Sequence, residues 1–292
     1  QKEVSRELKE LYESDQKDQN DESWNEGTGA EFVRRQKERR DRVMEIIEAG
    51  LLADLADWTC AAMLLQHGQA ADDYLLAHVL SMPCGIEDQP GGRFMSAATL
   101  DRFLQTVGRA QIFTTQSGAA DPSVYAPVEP FDDSMHQTLR ALFNLPPLPE
   151  KKEKEKSGKG PSAKDLPKLL ELSRKEAVAE GQEPEWLQRT REIVLAGALK
   201  SDKDFDSAAR VLLASRDPDD LLSAHVLAMC AAFKGRSPAA RVFCAETLDR
   251  FLLAIDKKQR FDTARADGKP REPRAPLPDF VLREYGLTPA SR

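Results

Sequence analysis

Apolar residues recur along this chain at three- and four-residue intervals, and the same spacing is written twice. Val43, Ile46 and Ile47 lead to Gly50, and Ile193 and Val194 lead to Gly197. Leu55, Trp58, Ala62 and Leu65 follow the first of these. Leu75, His78, Val79 and Met82 then share a face, which Leu222, His225, Val226 and Met229 repeat. Spacing of this kind predicts amphipathic helices packed on a common core. A polar helix is expected over residues 2–16, followed by loop, and another helix opens at Thr99. Asp217-Pro218-Asp219-Asp220 reads as a helix start, with Asp at the N-cap, Pro in the first turn and acids facing the positive end of the dipole. No stretch alternates apolar and polar residues over a strand's length, so almost no sheet is expected. The predicted fold class is all-α.

The repetition extends to the letters. Shifting residues 60–82 by 147 places lays them on 207–229 without a gap, and 11 of the 23 positions are identical. With a shift of 148, TLDRFL at 99–104 meets TLDRFL at 247–252, Gln111 meets Gln259 and Phe113 meets Phe261. The pattern predicts a tandem duplication of a unit of about 120 residues. Between the copies, residues 145–165 alternate Lys and Glu among Pro, Gly and Ser, a composition that cannot bury a core and reads as a linker. The expected organisation is a polar N-terminal segment with a helix (1–30), a first helical repeat domain (31–149), a linker (150–162) and a second, degenerate repeat domain (163–292).

Composition narrows the function classes. The net charge of −7 argues against a nucleic-acid binder, which would carry a basic face. No apolar run approaches the length that spans a bilayer. The chain begins with Gln1 instead of Met, which favours a cleaved secretory signal and an exported protein over a trimmed cytoplasmic one. Cys60, Cys84, Cys230 and Cys244 show no C-x-x-C spacing, so a cysteine zinc site is not expected. Each lies in or beside an apolar helical pattern and reads as a buried free thiol, with a Cys230–Cys244 disulfide as the alternative in an oxidising compartment.

Candidate chemistry divides into what the copies share and what they do not. On the TLDRFL helix, Leu100, Phe103, Leu104 and Val107 form the core stripe, and Gln111 falls four residues further along it. His78 and Gln111 are therefore expected to face the interior of the first copy, as His225 and Gln259 face that of the second. A buried imidazole or amide needs hydrogen-bond partners, and Asp101 with Arg102, or Asp249 with Arg250, would supply them. This cluster is either a ligand or catalytic site or a satisfied core network. Its presence in both copies favours the network.

The difference lies at a turn. Gln66-His67-Gly68 closes a helix in the first copy, where the second has Leu213-Ala214-Ser215. A His at a helix C-terminus titrates near neutral pH, and Asp72 or Asp73 opens the next helix within reach of it. Such a couple suits general base work or half of a metal site. The bland alternative is a polar residue that ends a helix. Thr114-Thr115-Gln116 is likewise replaced by Asp262-Thr263-Ala264, and Asp15-Gln16 and Asp18-Gln19 have no counterpart.

Asp15-Gln16, Gln66-His67, Asp101-Arg102, Gln111-x-Phe113-x-Thr115-Gln116 and Arg140 before Leu145-Pro146-Pro147 together resemble an uncharacterised bacterial family, domain-of-unknown-function family 6624. The resemblance covers most of residues 5–149 and adds no reaction. The second copy lacks Gln-His and the terminal Thr-Gln. The expected function is a module binding a protein or small ligand through a polar pocket in the first copy, lined by Gln66, His78, Asp101, Arg102, Gln111 and Gln116. The alternative is a hydrolase or metal-assisted enzyme using His67 with Asp72 or Asp73. His136 stands apart from the other three histidines, no metal ligand is assigned, and the sequence names no cofactor.

Overall fold

The computed structural model describes residues 1–20, 29–118, 126–132, 134–149, 160–176, 183–266, 269–273, 275 and 277–288. The helix expected over 2–16 runs on to Gln19, and the loop expected over 18–29 is helical at both its ends. Its remaining residues 21–28, and most of the expected linker at 150–159, lie outside the described residues. The chain divides into two compact units, Gln1–Asp133 with Phe143–Leu145, and Ser134–Leu142 with Pro146–Arg292.

The first unit holds α1 (Lys2–Gln19), α2 (Gly29–Glu48), α3 (Leu55–Gln66), α4 (Ala71–Ile86) and α5 (Gly92–Thr106). The second holds α6 (Gln137–Leu142), α7 (Leu166–Lys175), α8 (Glu185–Leu195), α9 (Asp202–Leu212), α10 (Pro218–Gly235), α11 (Pro238–Ala254) and α12 (Asp279–Glu284). The only sheet among the described residues is a two-residue antiparallel pair, β1 (Arg265–Ala266) on β2 (Lys269–Pro270). The protein is all-α in class.

Each unit is built round one helix that is buried on every side. On α4 every residue from Leu75 to Ile86 is buried, and on α10 Ala224 to Phe233 are. An apolar helix of this kind must be sheathed by neighbours. In the first unit Val43, Ile46 and Ile47 of α2, Leu64 and Leu65 of α3 and Leu100, Phe103 and Leu104 of α5 belong to that core. Gly92 lets α5 start close against α4, since a Cβ there would lie 2.6 Å from the backbone carbon of Cys84.

The helix starts follow the local code. The Asp54 carboxylate accepts from the amides of Ala56 and Asp57 at 2.9 and 3.1 Å and caps α3. Asp217 accepts from Asp219 at 2.9 Å ahead of Pro218, as the sequence predicts for α10. Two expectations fail on the TLDRFL helix. It opens at Gly92 instead of Thr99, because Arg93 and the exposed Phe94 break the apolar stripe in its first turn. It also stops at Thr106, with Gly108 in the left-handed region at φ 76°, so Gln111 lies beyond the helix. All four cysteines are free, and burial pushes the Cys244 thiol up to about 12. No helix among the described residues is long and apolar enough to cross a membrane.

Candidate functional site

Asp101 and Gln111 hold a loop. The Asp101 carboxylate is fully buried and accepts from the amides of Ile112 (2.8 Å), Phe113 (3.0 Å) and Thr115 (2.9 Å) and from the Thr115 hydroxyl (2.7 Å). Burial raises its pKa, against the downward pull of those four bonds. The Gln111 amide donates to the Val128 and Gln116 carbonyls at 2.7 and 3.1 Å, and its oxygen accepts from the Gln116 amide at 3.0 Å. In the second unit Asp249 takes the amides of Arg260, Phe261 and Thr263 and the Thr263 hydroxyl, and Gln259 bonds Ala264 and the Arg271 carbonyl. Thr114 and Asp262 both sit at positive φ in the bend these bonds enclose. Phe113 packs on Phe143 with ring centres 4.5 Å apart, and Phe261 on Tyr285 at 4.6 Å.

The expected pairing of His78 with Asp101 or Arg102 is therefore corrected. His78 is fully buried and its Nδ1 donates to the Ser96 carbonyl at 2.8 Å, so that nitrogen carries the proton. Burial lowers its pKa to about 4. His225 meets the Thr247 hydroxyl at 3.1 Å. Both carboxylates turn instead towards the loop that follows their own helix. Three backbone amides draw the Asp101 carboxylate inside.

His67 follows the last turn of α3, and its Nδ1 lies 2.7 Å from Asp15 Oδ2. Asp15 is fully buried on α1. Arg39 of α2 approaches its other oxygen at 3.7 Å, pairs with Asp18 at 2.7 Å, and shares Asp18 with Arg35 at 3.1 Å. Burial would raise the Asp15 carboxyl, but the His67 bond, the His67 charge, the nearby Gln36 amide and Arg39 together hold it below the ordinary range. The expected partners of His67 do not reach it. Asp73 turns back towards α2, accepting from Arg40 Nη2 and Nε at 2.6 and 3.0 Å, and Asp72 is exposed.

A cleft of about 370 Å³ opens beside the imidazole, lined among others by Val33, Gln36, Arg40, His67, Gly68 and Asp73. Gly68 is required there, because a Cβ would fall 2.5 Å from Asp73 Oδ2. Around the His67–Asp15 couple several buried polar atoms form no hydrogen bond: Asp15 Oδ1, Arg39 Nε and Nη2, and Gln36 Nε2. Gln36 is close enough to Asp15 to favour its charge but is not aligned for a bond. Buried groups with spare bonding capacity are uncommon in a finished core and frequent in binding sites.

Of the residues singled out from sequence, Gln66 is beside the site, its amide 3.4 Å from His67 Nε2. Asp101, Gln111 and Gln116 serve the loop, and Gln116 donates to the Ala98 carbonyl at 3.3 Å. Arg102 lies over the Tyr74 ring at 5.9 Å, and Tyr74 donates to the Gly68 carbonyl at 2.6 Å. Of His67, Asp101, Arg102 and Gln111, only His67 lines the cleft of about 370 Å³. Sequence reasoning missed Asp15 as the partner, together with Asp18, Gln36, Arg39 and Arg40. Their signal was complementary: acids three apart on one polar helix, and arginines four apart on the next. Among the described residues no three His, Cys, Asp or Glu gather as a metal site would require. Comparison with protein-family models, with curated proteins and with solved structures gave no match to the chain.

Proposed function

We propose that the chain is a tandem duplication in which the first unit binds a small polar ligand at His67 and the second keeps the scaffold without that site. The reading rests on one observation: His67 lines an open cleft while a fully buried carboxylate 2.7 Å away fixes its ring. Orienting an imidazole from behind is how proteins prepare its other nitrogen for a ligand. The buried polar atoms of Asp15, Gln36 and Arg39 strengthen the same reading. On this view the Lys/Glu-rich segment joins two copies, and the Gln-His motif of family 6624, which the first unit resembles, marks the binding residues.

A second reading has the same site as an acid–base catalyst, with His67 Nε2 as general base and Asp15 as its orienting group. It is favoured because Asp15 occupies Nδ1 and leaves Nε2 as the ring's other polar atom. A fragment screen by ¹H–¹⁵N NMR separates the cases. Binding is expected to perturb resonances of His67, Gln36 and Arg40, and His67→Ala should weaken it about tenfold or more. Hits confined to the second unit, or unaffected by His67→Ala, would refute the proposal. Turnover in an ester and phosphoester panel that falls about a hundredfold or more in His67→Ala would establish the catalyst instead.

A further inference from the structure

The second unit carries a cleft of its own, of about 380 Å³, on the loop-facing side of the turn between α9 and α10. Three arginines line it: Arg216 on that turn, Arg250 on α11 and Arg271 beside the β1–β2 pair. No carboxylate lies among its lining residues. Arg250 donates to the Leu213 carbonyl at 3.4 Å, and among the described residues none of the three forms an ion pair, whereas Arg189, Arg191, Arg210 and Arg241 of the same unit do so. Asp220, which bonds the lining residue Ser215, is already engaged by the forked guanidinium of Arg191 at 2.6 and 2.7 Å. Three arginines lining one concavity bring like charges together, and an anion among them offsets that repulsion.

The corresponding place in the first unit is not basic. The Gln111 bond to the Val128 carbonyl and the Gln259 bond to the Arg271 carbonyl show that Val128 occupies the position of Arg271. Gln69 stands for Arg216 by the alignment. Only Arg102 matches, for Arg250, and it lies over the Tyr74 ring, where the second unit has Leu221. Two of the three charges are thus particular to the second unit.

We propose that this cleft binds a phosphate-bearing small molecule, the dianionic phosphoryl group set between Arg216, Arg250 and Arg271. Arginine presents paired N–H donors matched to phosphoryl oxygens. Leu221 and Leu253 make one wall apolar, which suits an organic phosphate ester better than a free inorganic ion.

Isothermal titration of the full chain with phenyl phosphate and with inorganic phosphate tests this. Phenyl phosphate should bind several-fold more tightly than inorganic phosphate. Arg271→Ala, an exposed side chain whose loss should leave folding intact, should weaken it about tenfold, and Arg250→Lys should give a smaller loss by keeping charge without the fork. Arg102→Ala in the first unit should change nothing. Absence of binding at about 5 mM ligand, binding indifferent to Arg271→Ala, or equal loss in Arg102→Ala would each overturn the proposal. A preference for inorganic phosphate over the ester would overturn the assigned ligand class.

Discussion

The two units differ most sharply at the same turn. In the first, Gly68 leaves room for Asp73, Arg40 pairs with Asp73, and His67 reaches across to Asp15. In the second, Ser215 fills that space and bonds Asp220 at 2.5 Å, Arg191 takes the place of Arg40, and Ala214 replaces the imidazole. The helices supplying the second ring of charges differ in step. α1 has 18 residues where α7 has 10, and α2 has 20 where α8 has 11. Asp15 and Asp18 lie in the last turns of α1, and Arg35, Gln36 and Arg39 in the second and third turns of α2. Each unit sheathes one buried helix and holds a loop on a buried Asp. Asp15, Asp18, Arg35, Gln36 and Arg39 all stand on the longer α1 and α2.

If the Asp–loop clamp is shared architecture, breaking it should hurt both units alike, and this is the largest effect expected. Asp101→Ala would leave three backbone amides and a hydroxyl without their acceptor, and Asp249→Ala would do the same. Each should cost about 3–5 kcal/mol, read by chemical denaturation of the full chain. A large loss for one and a small loss for the other would show that the clamp belongs to one unit only.

The next effect is pH-dependent and concerns His78. Its folded pKa of about 4 lies below the ordinary 6.5, so the folded state refuses a proton that the unfolded chain accepts. Stability is therefore fully present above pH 6.5 and falls as pH drops towards 4, by about 3 kcal/mol in all. Burial raises Asp101 and Asp249, which take up protons early and act in the opposite direction over part of this range. The difference between wild type and His78→Gln isolates the histidine: the variant should lose less stability between pH 7 and 4.5. Parallel curves would contradict the buried neutral imidazole.

How far these features can be read from sequence depends on the distance their causes act over. Helix faces are local, and the stripes of Val43, Ile46 and Ile47 or of Leu75, Val79 and Met82 go to the core as their spacing predicts. The motif that reads as a polar cluster, Asp101 with Gln111, is local too. Its meaning stayed hidden because helix periodicity was carried past Thr106, where the chain bends, and a loop acceptor looks the same as a site residue until the bend is known. The His67 partner was hidden for the opposite reason. Asp15 is 52 residues away, and nothing in the local pattern says which faces of α1 and α2 meet the turn. Asp72 and Asp73 are nearer in sequence, but Asp72 is exposed at the start of α4, and Asp73, although it packs against Gly68, gives its carboxylate to Arg40 of α2. The lack of a counterpart for Asp15-Gln16 in the second copy was the one sequence clue in the right place.

The smallest expected effects exchange the turn residues themselves. Gly68→Ser brings the second unit's residue into the first, and its Cβ would meet Asp73 at 2.5 Å, so Asp73 must shift and its bonds to Arg40 loosen. A loss of about 1–3 kcal/mol follows, and the His67 side-chain resonances should shift because the cleft wall has moved. The reverse change, Ser215→Gly, removes the hydroxyl that bonds Asp220 and introduces a flexible residue, while Arg191 still holds the carboxylate. It should cost only about 1–2 kcal/mol. The order matters more than either value. If Ser215→Gly were the costlier of the two, the hydroxyl would be the structural requirement at this turn, and Gly68 would be a tolerated loss instead of the residue that makes room beside His67.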